Sequence, residues 1–365
     1  MKIHHFVEAL EAWAPRAYQE DYDNSGLLVG SQQWECSGVL VALDVTEAVL
    51  QEAIDKKINL IVAHHPLIFR GIKQITGTSS TDRILISAIK HDIAIYAIHT
   101  NLDNVFDGVN KAIAEKIGLQ ELQILQPKKD LLSKLSTFVP PTHKEAVLNA
   151  LFEAGAGHIG NYSECSFAMT GTGTFLPHDG TRPFSGVIGT RSNESEEKIE
   201  VIFPKVAEKA VIQALLNSHP YEEVAYDMVN LNNEFQKVGS GMIGMLPEPV
   251  DEVQFLKHLQ KSFGTPFIRH SPLLDKKIKK VAICGGSGAF LTPKAIGAGA
   301  DIFVTADIKY HDFFEAEGRL VLADIGHWES EQFTIELISE FLTKKFPTFA
   351  VLKTEVKTNP VGYFV

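Results

Sequence analysis

Three uninterrupted apolar runs constrain this chain more than any other feature: residues 39–43, 60–63 and 93–98. Each is short and rich in Val, Ile, Leu and Ala. None shows the polar alternation of a strand with one face in water, so all three belong to a sheet covered on both faces. Helical periodicity fills the gaps at residues 47–57 and 83–90, and a further helix is expected over 110–117. Buried strands alternating with helices predict an α/β fold. The chain opens on Ile3, Phe6, Val7, Leu10 and Trp13 at helical spacing, a helix that Pro15 stops.

From Lys129 the pattern changes. A strand at 135–139 leads into Pro140-Pro141 and a helix near 144–154, followed by short strands and turns around Gly155, Gly157, Gly160, Gly171, Gly173 and Gly180. A strand at 200–203, a helix at 206–216 and a strand at 224–231 complete two strand–helix–strand passes, the order of a ferredoxin-like α+β unit. The Gly- and Pro-rich stretch 239–249 is expected to return the chain as a loop. The last section repeats the first: strands at 280–284, 302–305 and 319–323, a helix at 292–298, and one long helix over 331–344. Residues 39–44 align by eye with 281–285, and 59–63 with 301–305, which reads as an internal duplication. The expected architecture is a discontinuous α/β domain, residues 1–128 and 235–365, with an α+β domain inserted at 129–234.

With 365 residues, 45% of them hydrophobic, the chain can bury two cores without staples. Its net charge of −11 argues against general nucleic-acid binding, which needs clustered Lys and Arg. Cys36, Cys165 and Cys284 form no CxxC pair and no even framework, which fits a reducing compartment. His4, His5 and Glu8 stand where a signal peptide needs an apolar run, and no stretch is apolar enough to span a membrane. A cytoplasmic location is expected.

The residues with chemistry follow the strands. His64-His65 comes directly after the second buried run, where open α/β sheets place ligands. Adjacent residues at a strand end diverge, so such a pair suits two neighbouring ions better than one. His99 and Asp103 follow the third run, and Asp103 is placed to bridge two cations or to cap a turn. His327 and Glu331 are four residues apart, on one face of a helix; Glu329 points elsewhere on a regular helix. Each motif alone has a structural reading, as a strand cap, a turn or a surface pair. Together they place imidazoles and carboxylates at three strand ends of one domain. Mixed nitrogen and oxygen donors suit two divalent ions per chain, from Zn, Mn, Fe, Co or Ni. The loop Gly285-Gly286-Ser287-Gly288 lies between strand and helix, either as a phosphate cradle or as a tight turn. Asp307 and His311 follow another strand, as groups that orient ligands or move protons, or as ordinary helix-start residues.

The motifs Asp23-Asn-Ser-Gly-Leu-Leu-Val-Gly30, Ala63-His-His-Pro66, His99-Thr-Asn-Leu-Asp103, Gly285-Gly-Ser-Gly288 and Gly326-His-Trp-Glu-Ser-Glu331 resemble, in this order, the GTP cyclohydrolase 1 type 2 homologues, also called NIF-three-like proteins. The segment from His219 to Tyr226 is similar to the PII/CutA-like insert of the longer bacterial members. The resemblance implies a toroidal homohexamer with dinuclear metal sites facing an internal cavity, and metal ligands at His64, His65, Asp103, His327 and Glu331. It extends to His99 and Asp307, the candidates for proton transfer. It also implies opening of a purine nucleotide ring by metal-activated water. On that reading His64 and His327 hold one ion, His65 and Asp103 the other, Glu331 completes the set, and Gly285–Gly288 position phosphate. Two other functions use the same residues: a metal-handling or regulatory assembly without turnover, and a metallophosphatase acting on small phosphoesters.

Overall fold

The computed structural model describes residues 1–364. Its contacts divide the chain into two compact units, residues 1–127 with 237–365, and residues 128–236. Among the described residues no helix is long and apolar enough to cross a membrane.

The first unit begins with α1 (Ile3–Trp13), β1 (Gly26–Val29), β2 (Val39–Ala42), α2 (Glu47–Asp55), β3 (Leu60–Ala63), α3 (Ser80–Lys90) and β4 (Ala94–Ala97). Two helices, α4 (Thr100–Asn104) and α5 (Val109–Lys116), then lead to β5 (Gln120–Lys128). Every residue of β2, β3 and β4 is buried, as expected for parallel strands under helices on both faces. They lie in a five-stranded sheet of order β1-β4-β3-β2 with one later strand at its edge; β1 runs antiparallel to β4. Thr46 and Ser79 start α2 and α3 by accepting from the N–H groups of Val49 and Asp82, which satisfies donors the helix itself leaves free. Leu40, Val49, Ile61, Ile84, Leu85 and Ile95 form the core between these elements.

The second unit holds β6 (Leu132–Val139), α6 (Lys144–Glu153), β7 (Ser166–Phe175), β8 (Ser192–Pro204), α7 (Glu208–Ser218) and β9 (Tyr226–Leu231). Its four strands form an antiparallel sheet of order β7-β8-β6-β9. Leu135, Val139, Ile199, Val201 and Phe203 point from it into a core shared with Val147, Leu151, Val211 and Leu215 of α6 and α7. Gly171 and Gly173, expected in turns, lie inside β7.

The chain re-enters the first unit along β10 (Phe235–Asp251), then α8 (Glu252–Phe263), β11 (Arg269–His270), β12 (Lys277–Ser287), α9 (Thr292–Gly297), β13 (Ile302–Ala306) and β14 (Val321–Asp324). It closes with α10 (His327–Glu331), α11 (Thr334–Lys345) and β15 (Val351–Lys353), which pairs with β2. The second sheet runs β11-β14-β13-β12-β10-β5, with β12, β13 and β14 parallel and β11 antiparallel to β14. Its first four strands thus repeat the order and directions of β1-β4-β3-β2.

Two expectations fail here for local reasons. The stretch 239–249 is not a loop but the body of β10. Its glycines admit close backbone approach: a Cβ on Gly239 would lie 2.1 Å from the Gln126 carbonyl oxygen. The helix expected over 331–344 is α11 but starts three residues later, at Thr334, because a turn at Gln332-Phe333 separates it from α10. The Gln332 side chain there donates to the carbonyl of Phe263.

Candidate metal centre

Parallel strands leave their carboxyl ends on one edge, and both sheets of the first unit present that edge to a common cavity of about 690 Å³. His64 and His65 follow β3, His99 follows β4, and α4 carries Asp103. From the other sheet, Asp307 follows β13, and the turn after β14 opens α10, which carries His327 and Glu331 at its two ends.

Each of the four imidazoles is held from behind through Nδ1. His64 Nδ1 donates to the Ile98 carbonyl at 2.8 Å, His65 Nδ1 to Asp44 at 2.7 Å, His99 Nδ1 to Asp23 at 2.7 Å, and His327 Nδ1 to Asp307 at 2.6 Å. An anchored Nδ1–H fixes ring orientation and turns Nε2 toward the centre. Three sets of donor atoms converge within 4.8 Å of one another: His64, His65 and His99; His65, His327 and Glu331; His64, Asp103 and Glu331.

The centre is electrostatically incomplete as protein alone. His64 Nε2 and Asp103 Oδ1 are buried without a hydrogen-bond partner, 3.6 Å apart. His64 Nε2 stands 3.9 Å from Glu331 Oε1. Glu331 Oε2 accepts from both His65 Nε2 (2.9 Å) and His327 Nε2 (3.0 Å), which face each other at 3.4 Å. Each of these two rings sits between two carboxylates. Burial opposes their charge, but the carboxylates outweigh it and raise His65 to about 10 and His327 to about 11. Burial likewise opposes ionisation of Glu331, yet contacts from His327, His64 and His65 hold its carboxyl well below the ordinary range. Asp103 is pushed the other way, by burial and then by the charge of Glu331. Divalent ions in place of the two ring protons would satisfy the orphaned atoms and both carboxylates, so the residues fit the metals that the sequence implies.

The clusters pair the ligands differently from the sequence reading. Asp103 groups with His64, and His327 with His65, because β3 directs its two histidines to opposite sides of Glu331. Glu329 is buried away from the cluster and accepts from Asn359 at 2.9 Å. His311 stays at the surface beside Tyr310 and Phe314. The glycine loop is no open cradle. The N–H groups of Gly285, Gly286 and Gly288 are already taken by Asn110, Ser330 and Thr305. Gly286 has φ +60°, and a Cβ there would come within 2.3 Å of Glu331 Oε1. The glycine is needed for close approach of that carboxylate.

Of the carboxylates behind the imidazoles, sequence reasoning named Asp307 as a candidate and missed Asp44 and Asp23. Asp44 stands two residues past the end of β2, so the strand-end argument applied to His64 and His65 reaches it too. Asp23 accepts from Thr100 N–H (3.0 Å), from the Thr100 hydroxyl and from Ser25 Oγ (3.1 Å), besides His99. Burial would raise its carboxyl, but His99 and Thr100 lower it instead. Residues 354–364 also contribute: Thr358 Oγ1 donates to Asp44 at 2.6 Å, and Tyr363 packs edge-on against Phe267 at the cavity. No local signal in the sequence marks that tail. Cys284 lines the cavity as a thiol, its pKa pushed up by burial and then by Asp103 and Glu331.

The family DUF34/NIF3 (NGG1p interacting factor 3) matches residues 1–360. The chain belongs to the DUF34/NIF3 family. A Halalkalibacterium halodurans protein named GTP cyclohydrolase 1 type 2 homolog is 41% identical, over 98% of this chain and 97% of its own. A Bacillus subtilis protein of the same name is 39% identical over equal shares. The crystal structure of a Bacillus cereus protein related to NIF3 superposes with a TM-score of 0.88 at 38% identity, covering 100% of this chain and 99% of that one. The mixed α/β architecture with several sheets is therefore that of DUF34/NIF3 proteins.

Proposed function

We propose that this DUF34/NIF3 protein is a dinuclear-metal hydrolase that acts on a purine nucleotide. The observation that carries the proposal is the convergence of His64, His65, His327, Asp103 and Glu331 donor atoms on one buried cluster in which His64 Nε2 and Asp103 Oδ1 have no hydrogen-bond partner. His64, Asp103 and Glu331 would hold one ion, and His65, His327 and Glu331 the other. Two divalent ions supply Lewis acidity and a water nucleophile at neutral pH.

The chain's own residues do the rest. Asp44 and Asp307 keep the proton on Nδ1 of His65 and His327, so that Nε2 faces the ions. His99, fixed through Nδ1 to Asp23, has Nε2 free to take or return a proton at the reacting ring. Tyr22, Phe69, Phe290 and Trp328 give the cavity apolar walls for a flat heterocycle, and Arg269 brings a guanidinium to it. The substrate class rests on these walls and on the name of the relatives. The unit at residues 129–234 is proposed to be a ferredoxin-like, PII/CutA-type insert, which its βαββαβ order and strand order support. Assembly as a homohexamer is part of the same proposal.

Metal content by mass spectrometry, on untagged protein and on a His65→Ala/Glu331→Ala variant, is the test. About two ions per chain, lost in the variant, with hydrolysis of GTP that follows metal content, is the expected result. Bound ions that exchange freely while no purine nucleotide or phosphoester is consumed would replace the hydrolase with a metal-handling protein. No uptake of Zn or Mn would remove the centre itself.

A further inference from the structure

The second unit has a cavity of its own, of about 470 Å³, on the sheet face away from α6 and α7. The glycines of β7 make room for it. Gly171 stands opposite Glu196 in the β7–β8 register, and a Cβ on Gly173 would fall 1.9 Å from Glu196 Oε2. Glycine inside a strand weakens it, and marks a place where something must approach the backbone closely. Here that group is a carboxylate.

Glu196 is only 8% exposed, and its sole hydrogen bond among the described residues comes from the Tyr221 hydroxyl at 2.8 Å to Oε1. The lysines that share its sheet are spent elsewhere: Lys134 and Lys198 both pair with Glu200, at 3.0 and 2.8 Å. Burial, and then Glu196 itself, raise the Tyr221 pKa, so its hydroxyl stays a donor. The rings of Phe138, Phe175, Phe184 and Tyr221 line the cavity, with Glu196, Glu222 and Glu223 also on the wall; among the described residues no Lys, Arg or His lines the space. Glu222 accepts from the Arg182 N–H at 2.8 Å, which ties the covering loop down.

Chemistry narrows the occupant. An anion meets three carboxylates and no cation. A neutral apolar molecule leaves Glu196 shielded from water with its charge unbalanced, which is costly. A hard divalent ion needs several oxygens converging on one point, and among the described residues Glu196, Glu222 and Glu223 form no such cluster. An ammonium group with an apolar body meets both features, since the ring faces attract cations and the carboxylate neutralises one. We propose that this cavity binds a small organic cation, an amine or quaternary ammonium compound, with Glu196 as its counter-ion and Phe175, Phe184 and Tyr221 as its cage.

The test is calorimetric titration of the full chain with choline and with cadaverine, against 3,3-dimethylbutan-1-ol as the uncharged shape match for choline. At least one cation is expected to bind ten or more times more tightly than the alcohol. Glu196→Gln, which keeps shape and the Tyr221 contact, should weaken it at least tenfold with an unchanged circular dichroism spectrum and unchanged metal content. Phe184→Ala, at an exposed ring, should weaken it without disturbing the fold. Failure of both cations to bind at millimolar concentration overturns the proposal. So does binding that Glu196→Gln leaves unchanged, binding of the alcohol as tight as choline, or a site that takes Mn in preference to either cation.

Discussion

At the residue scale the centre turns on four contacts made behind the metal-facing atoms. Asp44→Asn keeps the size of the side chain but offers no negative acceptor to His65 Nδ1. Metal affinity should fall roughly 10- to 100-fold, as outer contacts of this kind generally allow, while the fold persists. Competition with a chromogenic chelator measures it, and an unchanged affinity would make Asp44 a bystander. The raised histidines give a pH signature with a definite sign. In the metal-free protein the stability they contribute is fully present below the unfolded value near 6.5. It is lost as pH rises through about 10 for His65 and about 11 for His327. Metal must displace those protons, so its apparent affinity should tighten as pH rises across that window. Unbuffered loading with Zn near pH 8 should release about two protons per chain. Release of none would show that the rings are neutral before metal arrives. His64, His65, Asp103, His327 and Glu331 were legible as candidates because strand ends and i, i+4 spacing are local patterns. Asp44 and Asp23 were harder to see, because their meaning depends on which ring they meet across the fold.

Among the elements, glycine decides more than helix or strand propensity does. Continuous apolar runs announced β2, β3 and β4, and hydrophobic spacing announced α1 and α7, because burial writes itself into such patterns. Glycine carries no such message. In β7 and β10 it sits inside strands to admit a side chain or a carbonyl, yet in the sequence it reads as a turn. The break between α10 and α11 was equally silent, since residues 327–344 hold no proline or glycine to announce it. Gly286 is the sharpest case, combining a left-handed φ with a carboxylate where its Cβ would be. Gly286→Ala is expected to cost about 1–2 kcal/mol in backbone strain alone. It should also push the Glu331 carboxylate out of the cluster, so thermal unfolding of the metal-free chain should fall modestly while metal content falls sharply. Equal metal content in variant and parent would show that Glu331 does not need that approach.

On the scale of the molecule, each site draws its residues from one unit. The metal cluster, its anchors and the tail residue Thr358 lie within residues 1–127 and 237–365, whereas Glu196 and its aromatic cage lie within 128–236. The two ends at which the chain leaves and re-enters the first unit are neighbours in one sheet, β5 beside β10. A Cβ on Gly239 would sit 2.7 Å from the Pro127 Cα, so a short turn spans the gap. Replacing residues 128–236 by an Asn-Gly turn should therefore leave a foldable first unit, because its buried strands and both halves of the metal cluster survive intact. The shortened chain is expected to bind the same number of ions per chain as the parent, and to bind neither choline nor cadaverine. Mass spectrometry and calorimetry read the two outcomes separately. Loss of metal in a chain that still melts cooperatively would mean that the second unit helps to build the centre, and the assignment of each site to one unit would fall.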